Sequence, residues 1–327
     1  RIYPLYMYGH FRTFYFISIL IFLIITLSAI MLRPLLTEPS VQAQEKHFAL
    51  IAGNVNQSLW KDIYEGTLQY AKKNNIAVEM MGPSHFDLQE HIRWLKIAIA
   101  CRLDGLIFPA YTQESYTGLI QEMNSRGIPA VTVMYDLPNS GRDSYVGIDP
   151  DELGNTAALL IDNATEGQAN IAVMKNSLFR NKSGKITGDP LIEAIVRAVQ
   201  DWKGLNISRI ESSPYGIFST EEISRDILLN DDTINAFFCD SVDSTLGVTQ
   251  MLVDLNRVGD IAVVGFMRNN DIDRYLANGI IDGVIHTDSF EIGRSSVSIL
   301  HDLSNGTHTS SFEKIGFSVL YSPKEEE

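Results

Sequence analysis

Amides and an aromatic side chain stand where the first apolar run of this sequence's polar part gives out. In "GNVNQSLWKDIYEG" (residues 53–66), Asn54, Asn56 and Gln57 precede Leu59 and Trp60, directly after the run "HFALIA". An amide offers donors and acceptors without a charge, so such a loop suits the hydroxyl groups of a neutral solute. Asn is equally suited to turns, and a tryptophan at a helix start also packs on its own lobe. Each of these residues therefore has a binding reading and a purely architectural one. Other chemistries are missing: there is no P-loop, no GxSxG, no HExxH and no GxGxxG. His10, His47, His85, His91, His286, His301 and His308 are scattered with no ligand spacing. Cys101 and Cys239 form no CxxC pair and read as two buried free thiols. No metal site, no cofactor and no catalytic constellation is expected.

Elements of two kinds must position these residues. Short, continuously apolar runs read as strands: 48–54, 76–82, 105–110, 129–135, 144–149, 170–176, 206–212, 234–240, 261–267, 282–287 and 316–321. Amphipathic stretches between them read as helices, such as "SLWKDIYEGTLQYAKKN", where Leu59, Ile63, Leu68 and Ala71 share a face. "STEE" (Ser219 to Glu222) fits a capping box. Apolar strands alternating with helices mean parallel sheets covered on both faces. Eleven strands and 327 residues suit two such lobes better than one. In these sheets a ligand sits at the carboxyl ends of strands. That singles out Asn54–Trp60, Phe108–Tyr111, Met134–Asp136, Lys175–Lys182, Asp240–Asp243, Met267–Asp271 and Thr287–Asp288.

Charge and the N-terminus narrow the class. Net charge is −14, from 26 Lys+Arg against 40 Asp+Glu, which disfavours phosphate backbones and anionic lipid surfaces. "FYFISILIFLIITLSAIML", Phe14 to Leu32, is free of charge, and its 19 residues span nearly all of a ~30 Å hydrocarbon core. Arg1 and Arg12 precede it, and Tyr3, Tyr6, Tyr8 and Tyr15 suit a membrane interface. The rival is a cleaved signal peptide ending near "VQA" (Val41 to Ala43). Because signal cores are shorter, about 7–15 residues, an uncleaved anchor is preferred. Either way the remainder is exported. The expected layout is a cytoplasmic stub (1–13), an anchor (14–32) and a linker (33–45) before the globular part.

The motifs "DGLIFPA", "RGIPAVTV", "YVGIDPDELG", "INAFFCDSVDSTLG", "DIAVVGFM" and "ANGIIDGVIHTDSFEIG" follow in order within about residues 46–321. Together they resemble the type I periplasmic sugar-binding proteins of the ribose- and galactose-binding type, which are related to the effector domains of LacI-type repressors. The resemblance implies an α/β fold of two Rossmann-like, doubly wound parallel-sheet lobes joined by three crossovers. Here one transmembrane helix precedes it. By resemblance the first lobe takes 46–148 plus 288–316 and the second 149–287 plus 317–327, with crossovers at "YVGIDPDELGN" and "HTDS".

The same resemblance assigns candidate ligand contacts. Leu59 and Trp60 fall where family members often flank the sugar with aromatics. Phe108 falls where a polar ligand residue often ends the third strand. Met134 and Tyr135 align with a common Asp-Arg pair, with Asp136 one step on. Thr187 aligns with a second-lobe arginine, for which Arg180 or Lys182 can substitute. Ser241 takes an amide position, beside Asp240 and Asp243, and doubles as a helix cap. Met267 stands where an aspartate is usual, with Arg268 next to it, and Thr287 ends the following strand. The expected function is an extracytoplasmic solute receptor, for a sugar, that closes on its ligand and presents it to an ABC permease. The alternative partner is a sensor histidine kinase. A LacI-type regulator is disfavoured because a hydrophobic segment stands where a helix-turn-helix belongs.

Overall fold

The computed structural model describes residues 5–36, 46–176, 189–213 and 216–323. The chain forms two units, Arg1–Glu45 and Lys46–Glu327. The first holds one helix, α1 (Leu5–Leu36). Its described side chains, those of Tyr15–Ser28, Ile30 and Met31, are nearly all exposed, Phe22 to 70%. Among the described residues no helix is long and apolar enough to cross a membrane.

The larger unit is a pair of parallel sheets. Strands β1 (Lys46–Ile51), β2 (Ile76–Met81), β3 (Gly105–Phe108), β4 (Ala130–Val133) and β5 (Ser144–Gly147) alternate with helices α2 (Ser58–Asn74), α3 (Leu88–Ala100) and α4 (Gln113–Ser125). After α5 (Pro150–Ala164) come β6 (Ala169–Asn176), α6 (Pro190–Gln200), β7 (Leu205–Ser213), α7 (Ile217–Asn230) and β8 (Ala236–Cys239). Then follow α8 (Val242–Asp254), β9 (Ala262–Phe266), α9 (Asn270–Ala277) and β10 (Gly283–Thr287). The chain ends in α10 (Ser289–Ser304), β11 (Phe312–Lys314) and β12 (Phe317–Tyr321). The first sheet runs β11-β5-β4-β3-β1-β2 and the second β12-β10-β9-β8-β6-β7. All pairings are parallel except β10 with β12. Strands β3, β4, β5 and β8 are buried at every residue, as sheets covered on both faces require. Four core clusters result, one on each face of each sheet.

Three segments cross between the sheets: Ile148–Asp149, Asp288 and Ile315–Gly316. They are laced together. The Ile315 amide donates to the Gly147 carbonyl at 2.8 Å, and the Thr287 hydroxyl donates to the Gly316 carbonyl at 3.3 Å. Thr287, a candidate ligand contact by resemblance, is fully buried here and serves the crossover.

Every apolar run identified in the sequence forms a strand, within a few residues at each end. Three details differ. β11 was not expected, because a three-residue edge strand has no apolar run to mark it. The capping box at Ser219 does not form: α7 starts two residues earlier, behind Gly216 at φ 65°, and Ser219 donates back to the Gly216 carbonyl. Cys101 is exposed as the C-cap of α3; only Cys239 is buried.

Helices α2 and α10 pack so closely that Gly66 meets the Phe290 carbonyl and Gly293 meets the Ile63 carbonyl; a Cβ at either would overlap backbone. Since backbone cannot give way as a side chain can, Gly293→Ala is expected to destabilise the first lobe by about 1–3 kcal/mol or more. Urea unfolding reads this directly, and an unchanged midpoint would show that the helices separate freely.

Candidate functional site

The turns that follow β1, β4, β8 and β9, with the end of β6, bring the described candidate residues to the edge where the two sheets meet. Two of these turns share an unusual feature. Met134, after β4, has φ 62°, and Met267, after β9, has φ 69°. A long side chain in the left-handed region costs about 1–2 kcal/mol, so the surrounding packing holds these turns. The packing is visible: Leu59 and Met134 of the first lobe lie on the second lobe's core cluster, which contains Phe266 and Met267. Both also belong to the first lobe's own core margin. The lobes thus touch through an apolar seam.

Beside the seam lies a cavity. Its first-lobe wall is Met134, Tyr135, Asp136 and Tyr145, and Ile148 of the crossover closes one end. The second-lobe wall is Pro150, Asp189, Pro190, Leu191, Asp240 and Phe266. The space left is about 50 Å³, room for a few waters, so a ligand has to part the lobes to enter.

The charges of this site come in pairs. Asp136 accepts from Arg142 Nε at 2.5 Å and Nη2 at 2.6 Å, and from the Thr132 hydroxyl at 2.8 Å. Arg142 reaches on to the Ser311 carbonyl, next to β11. In the second lobe Lys175, at the end of β6, is fully buried with its Nζ 3.6 Å from Asp189 Oδ2. Asp189 also caps α6, accepting from the Leu191 and Ile192 amides. Burial pushes the Asp189 carboxyl up, while Lys175 and the two amides pull it back. Tyr135 bridges the lobes: burial, then Asp240 and Asp189, push its phenol well above the ordinary value, so it stays a donor.

An aromatic platform supports Tyr135 from below. Its ring lies 5.1 Å from that of Tyr111, which meets Phe86 edge-on at 5.1 Å. Tyr111 also packs edge-on to His91. The Tyr116 hydroxyl donates to His91 Nδ1 at 2.7 Å, which leaves Nε2 to donate to the Ile51 carbonyl at 3.2 Å. His91 thereby pins the end of β1, from which the 53–60 loop departs.

Several candidates fall elsewhere. Trp60 is 3% exposed within the first-lobe core, its indole against Gly53, where the Tyr111 hydroxyl also approaches. Phe108 is fully buried and stacks on Tyr116 at 6.3 Å. The Asn54 side chain accepts from the Asn56 amide at 2.9 Å, and Asn56 Nδ2 donates to the Ser84 carbonyl at 2.9 Å, so both serve the loop. Ser241 forms a capping box with Ser244. Asp243 is half-buried in the first turn of α8, and burial pushes its carboxyl up. Arg268 is exposed and doubly bonded to Asp273, at 2.9 and 2.6 Å. Arg180, Lys182 and Thr187 lie outside the described residues. Leu59, Met134, Tyr135 and Asp136 do converge at the seam and cavity. Lys175 begins a strand-end segment that the sequence singled out, whereas Arg142, Tyr145 and Asp189 were not singled out. A lysine ending an apolar strand and an Asp-Pro at a helix start were the available signals for Lys175 and Asp189.

The pH response of His91 follows from its burial, which lowers its pKa from 6.5 to about 4. The folded state then favours the neutral ring. Its stabilising contribution is complete above about pH 6.5 and is lost as pH falls toward 4, about 3 kcal/mol in all. Melting temperature measured from pH 7 to 4 is expected to fall more steeply for the native chain than for His91→Gln; parallel profiles would contradict this.

The chain belongs to the periplasmic binding protein domain family, which matches residues 48–308. It is 19% identical over 266 residues to the D-allose-binding periplasmic protein of Escherichia coli (strain K12), covering 78% of this chain and 83% of that one. The crystal structure of GanP, a glucose-galactose binding protein from Geobacillus stearothermophilus, is similar with a TM-score of 0.80 and 26% identity. That likeness covers 86% of this chain and 99% of GanP. The XylFII–LytSN complex holds a chain similar at TM-score 0.76 and 25% identity, over 85% of this chain and 98% of that one. The resemblance drawn from the six motifs is therefore correct, and the family is one of binding proteins, not enzymes.

Proposed function

We propose that this member of the periplasmic binding protein domain family is an extracytoplasmic receptor for a sugar, which it presents to an ABC importer. The observation that carries the reading is the cavity between the lobes, walled by two tyrosines and three carboxylates at strand ends and helix starts. Aromatic faces suit the C–H face of a sugar ring, and carboxylates accept hydroxyl hydrogen bonds strongly. The sugar ligands named for the E. coli protein and for GanP support it. In this reading the lobes part at the three crossovers, the sugar enters beside Tyr135, and Leu59, Asp136, Asp189 and Asp240 close around it. The uncharged run Phe14–Leu32 lies within α1, but no helix among the described residues is long and apolar enough to cross a membrane, so a single-pass anchor is no part of this reading.

A second reading couples the same receptor to a sensor histidine kinase. It is favoured by one specific finding, that a similar chain has been solved in complex with another protein, LytSN.

Thermal shift and calorimetry of the full chain in detergent against a panel of pentoses and hexoses are the test. At least one sugar is expected to stabilise the chain, and Tyr135→Ala to weaken that binding by about tenfold or more, roughly 1.4 kcal/mol. No response to any sugar would remove the reading. In cells, loss of sugar uptake on deletion of the gene identifies the importer role. Intact uptake with loss of a sugar-dependent transcriptional response identifies the sensor role.

A further inference from the structure

If the chain is a sugar receptor, the division of its cavity wall bears on which sugar it accepts. Its apolar lining comes from both lobes and the crossover, as Met134, Ile148, Leu191 and Phe266, and it continues into the seam formed by Leu59 and Met134 on the Phe266–Met267 cluster. No hydroxyl placed against these side chains finds a partner among them, and an unmade hydrogen bond in a closed site counts against binding.

The polar side has limited capacity left. A carboxylate offers about four acceptor positions. Three on Asp136 are taken by Arg142 and Thr132. Two on Asp189 are taken by backbone amides, and its other oxygen faces the buried Lys175 ammonium. The Tyr145 hydroxyl lies within 3.4 Å of the Met134 carbonyl and 3.3 Å of the Ile148 carbonyl. Among the described residues, the cations Arg142 and Lys175 stand against carboxylates. Much of the hydrogen-bonding capacity that a fully hydroxylated ring needs is thus committed to the protein.

The turn geometry keeps the division in place. Met134 is held at φ 62° by a tight turn in which the Tyr135 amide donates to the Val133 carbonyl at 2.6 Å. Met267 is held at φ 69°, its amide donating to the Ile285 carbonyl at 2.8 Å. Asn tolerates that backbone region better than Met does. The structure therefore keeps two thioethers at positions where a polar residue fits the backbone more easily, and it uses them to build an apolar wall.

We propose that the cleft selects a deoxy sugar, a specificity that rests on the sugar-receptor reading above. Its ligand carries a methyl or methylene edge, which lies against Met134 and Phe266, and keeps its hydroxyls on the Tyr135, Asp189 and Asp240 side. Met134 is then a specificity-determining residue. Calorimetry of the full chain in detergent with matched pairs tests this: D-galactose with D-fucose, D-glucose with 6-deoxy-D-glucose, L-mannose with L-rhamnose, and D-ribose with 2-deoxy-D-ribose. In at least one pair the deoxy sugar is expected to bind about tenfold or more tightly than its parent. Met134→Asn, which suits the left-handed backbone, is expected to keep the melting temperature and narrow that preference. Parent sugars that bind as tightly as their deoxy partners in every pair would overturn the inference while leaving the sugar receptor standing. A preference unchanged in Met134→Asn would overturn the role of Met134. Silence of all eight sugars, with another sugar of the pentose and hexose panel bound, would overturn the inference alone; silence of the whole panel would remove the receptor reading with it.

Discussion

Parallel sheets buried on both faces leave a chain little room for polar chemistry. In β3, β4, β5 and β8 every residue is buried, so these strands have no face to spare for a solute. What remains is the strand ends and the helix starts that come after them. There the backbone amides of each first helical turn are unpaired within the helix. The sequence answers with carboxylate, amide and hydroxyl caps: Asp87, Asp149, Asp189, Ser241, Asn269 and Asp288. An acidic chain can therefore gather carboxylates at this edge without strong mutual repulsion, because helix N-termini carry partial positive charge. Asp189 shows the principle best. One residue caps α6, pairs with Lys175 and walls the cavity.

Two buried ion pairs face the same cleft from opposite lobes, Asp136–Arg142 and Lys175–Asp189. Desolvation makes such pairs poor sources of stability, so their value lies in geometry. Arg142 ties the β4 turn to the strand beside the third crossover, and Lys175 fixes the carboxylate that starts α6. Between them runs an apolar seam of Leu59, Met134 and Met267, which needs no directional bonds. The two ion pairs lie each within its own lobe, so the seam and the contacts of Tyr135 with Asp189 and Asp240 are what join the lobes here. The three laced crossovers join them at the other edge.

The fold was largely legible in the sequence, since a strand buried on both faces must be apolar throughout, and "GLIF", "AVTV" and "AFFC" are. Short or strongly polar elements escaped: β11 has three residues, and α9 is an eight-residue helix rich in charged side chains. The site was less legible. Residue type suggested Trp60, Asn56 and Ser241, and each also satisfies a local need: core filling, loop bonding, helix capping. In all three the structure shows that local need met. The residues that do wall the cavity include Tyr145, which has no local mark of a binding role, and Asp189, whose only mark is that of a helix cap.

The sequence alone determined the two-lobed parallel architecture and the family. These depend on hydrophobic period and on motifs that are contiguous along the chain. Only the tertiary structure decided which strand-end side chains meet. Asp136 finds Arg142 across a turn, Tyr135 finds Asp189 and Asp240 across the cleft, and Leu59 finds the opposite lobe. The pairings of Tyr135 and Leu59 depend on how two sheets are set against each other, and no local pattern of residues encodes a distance between segments a hundred positions apart.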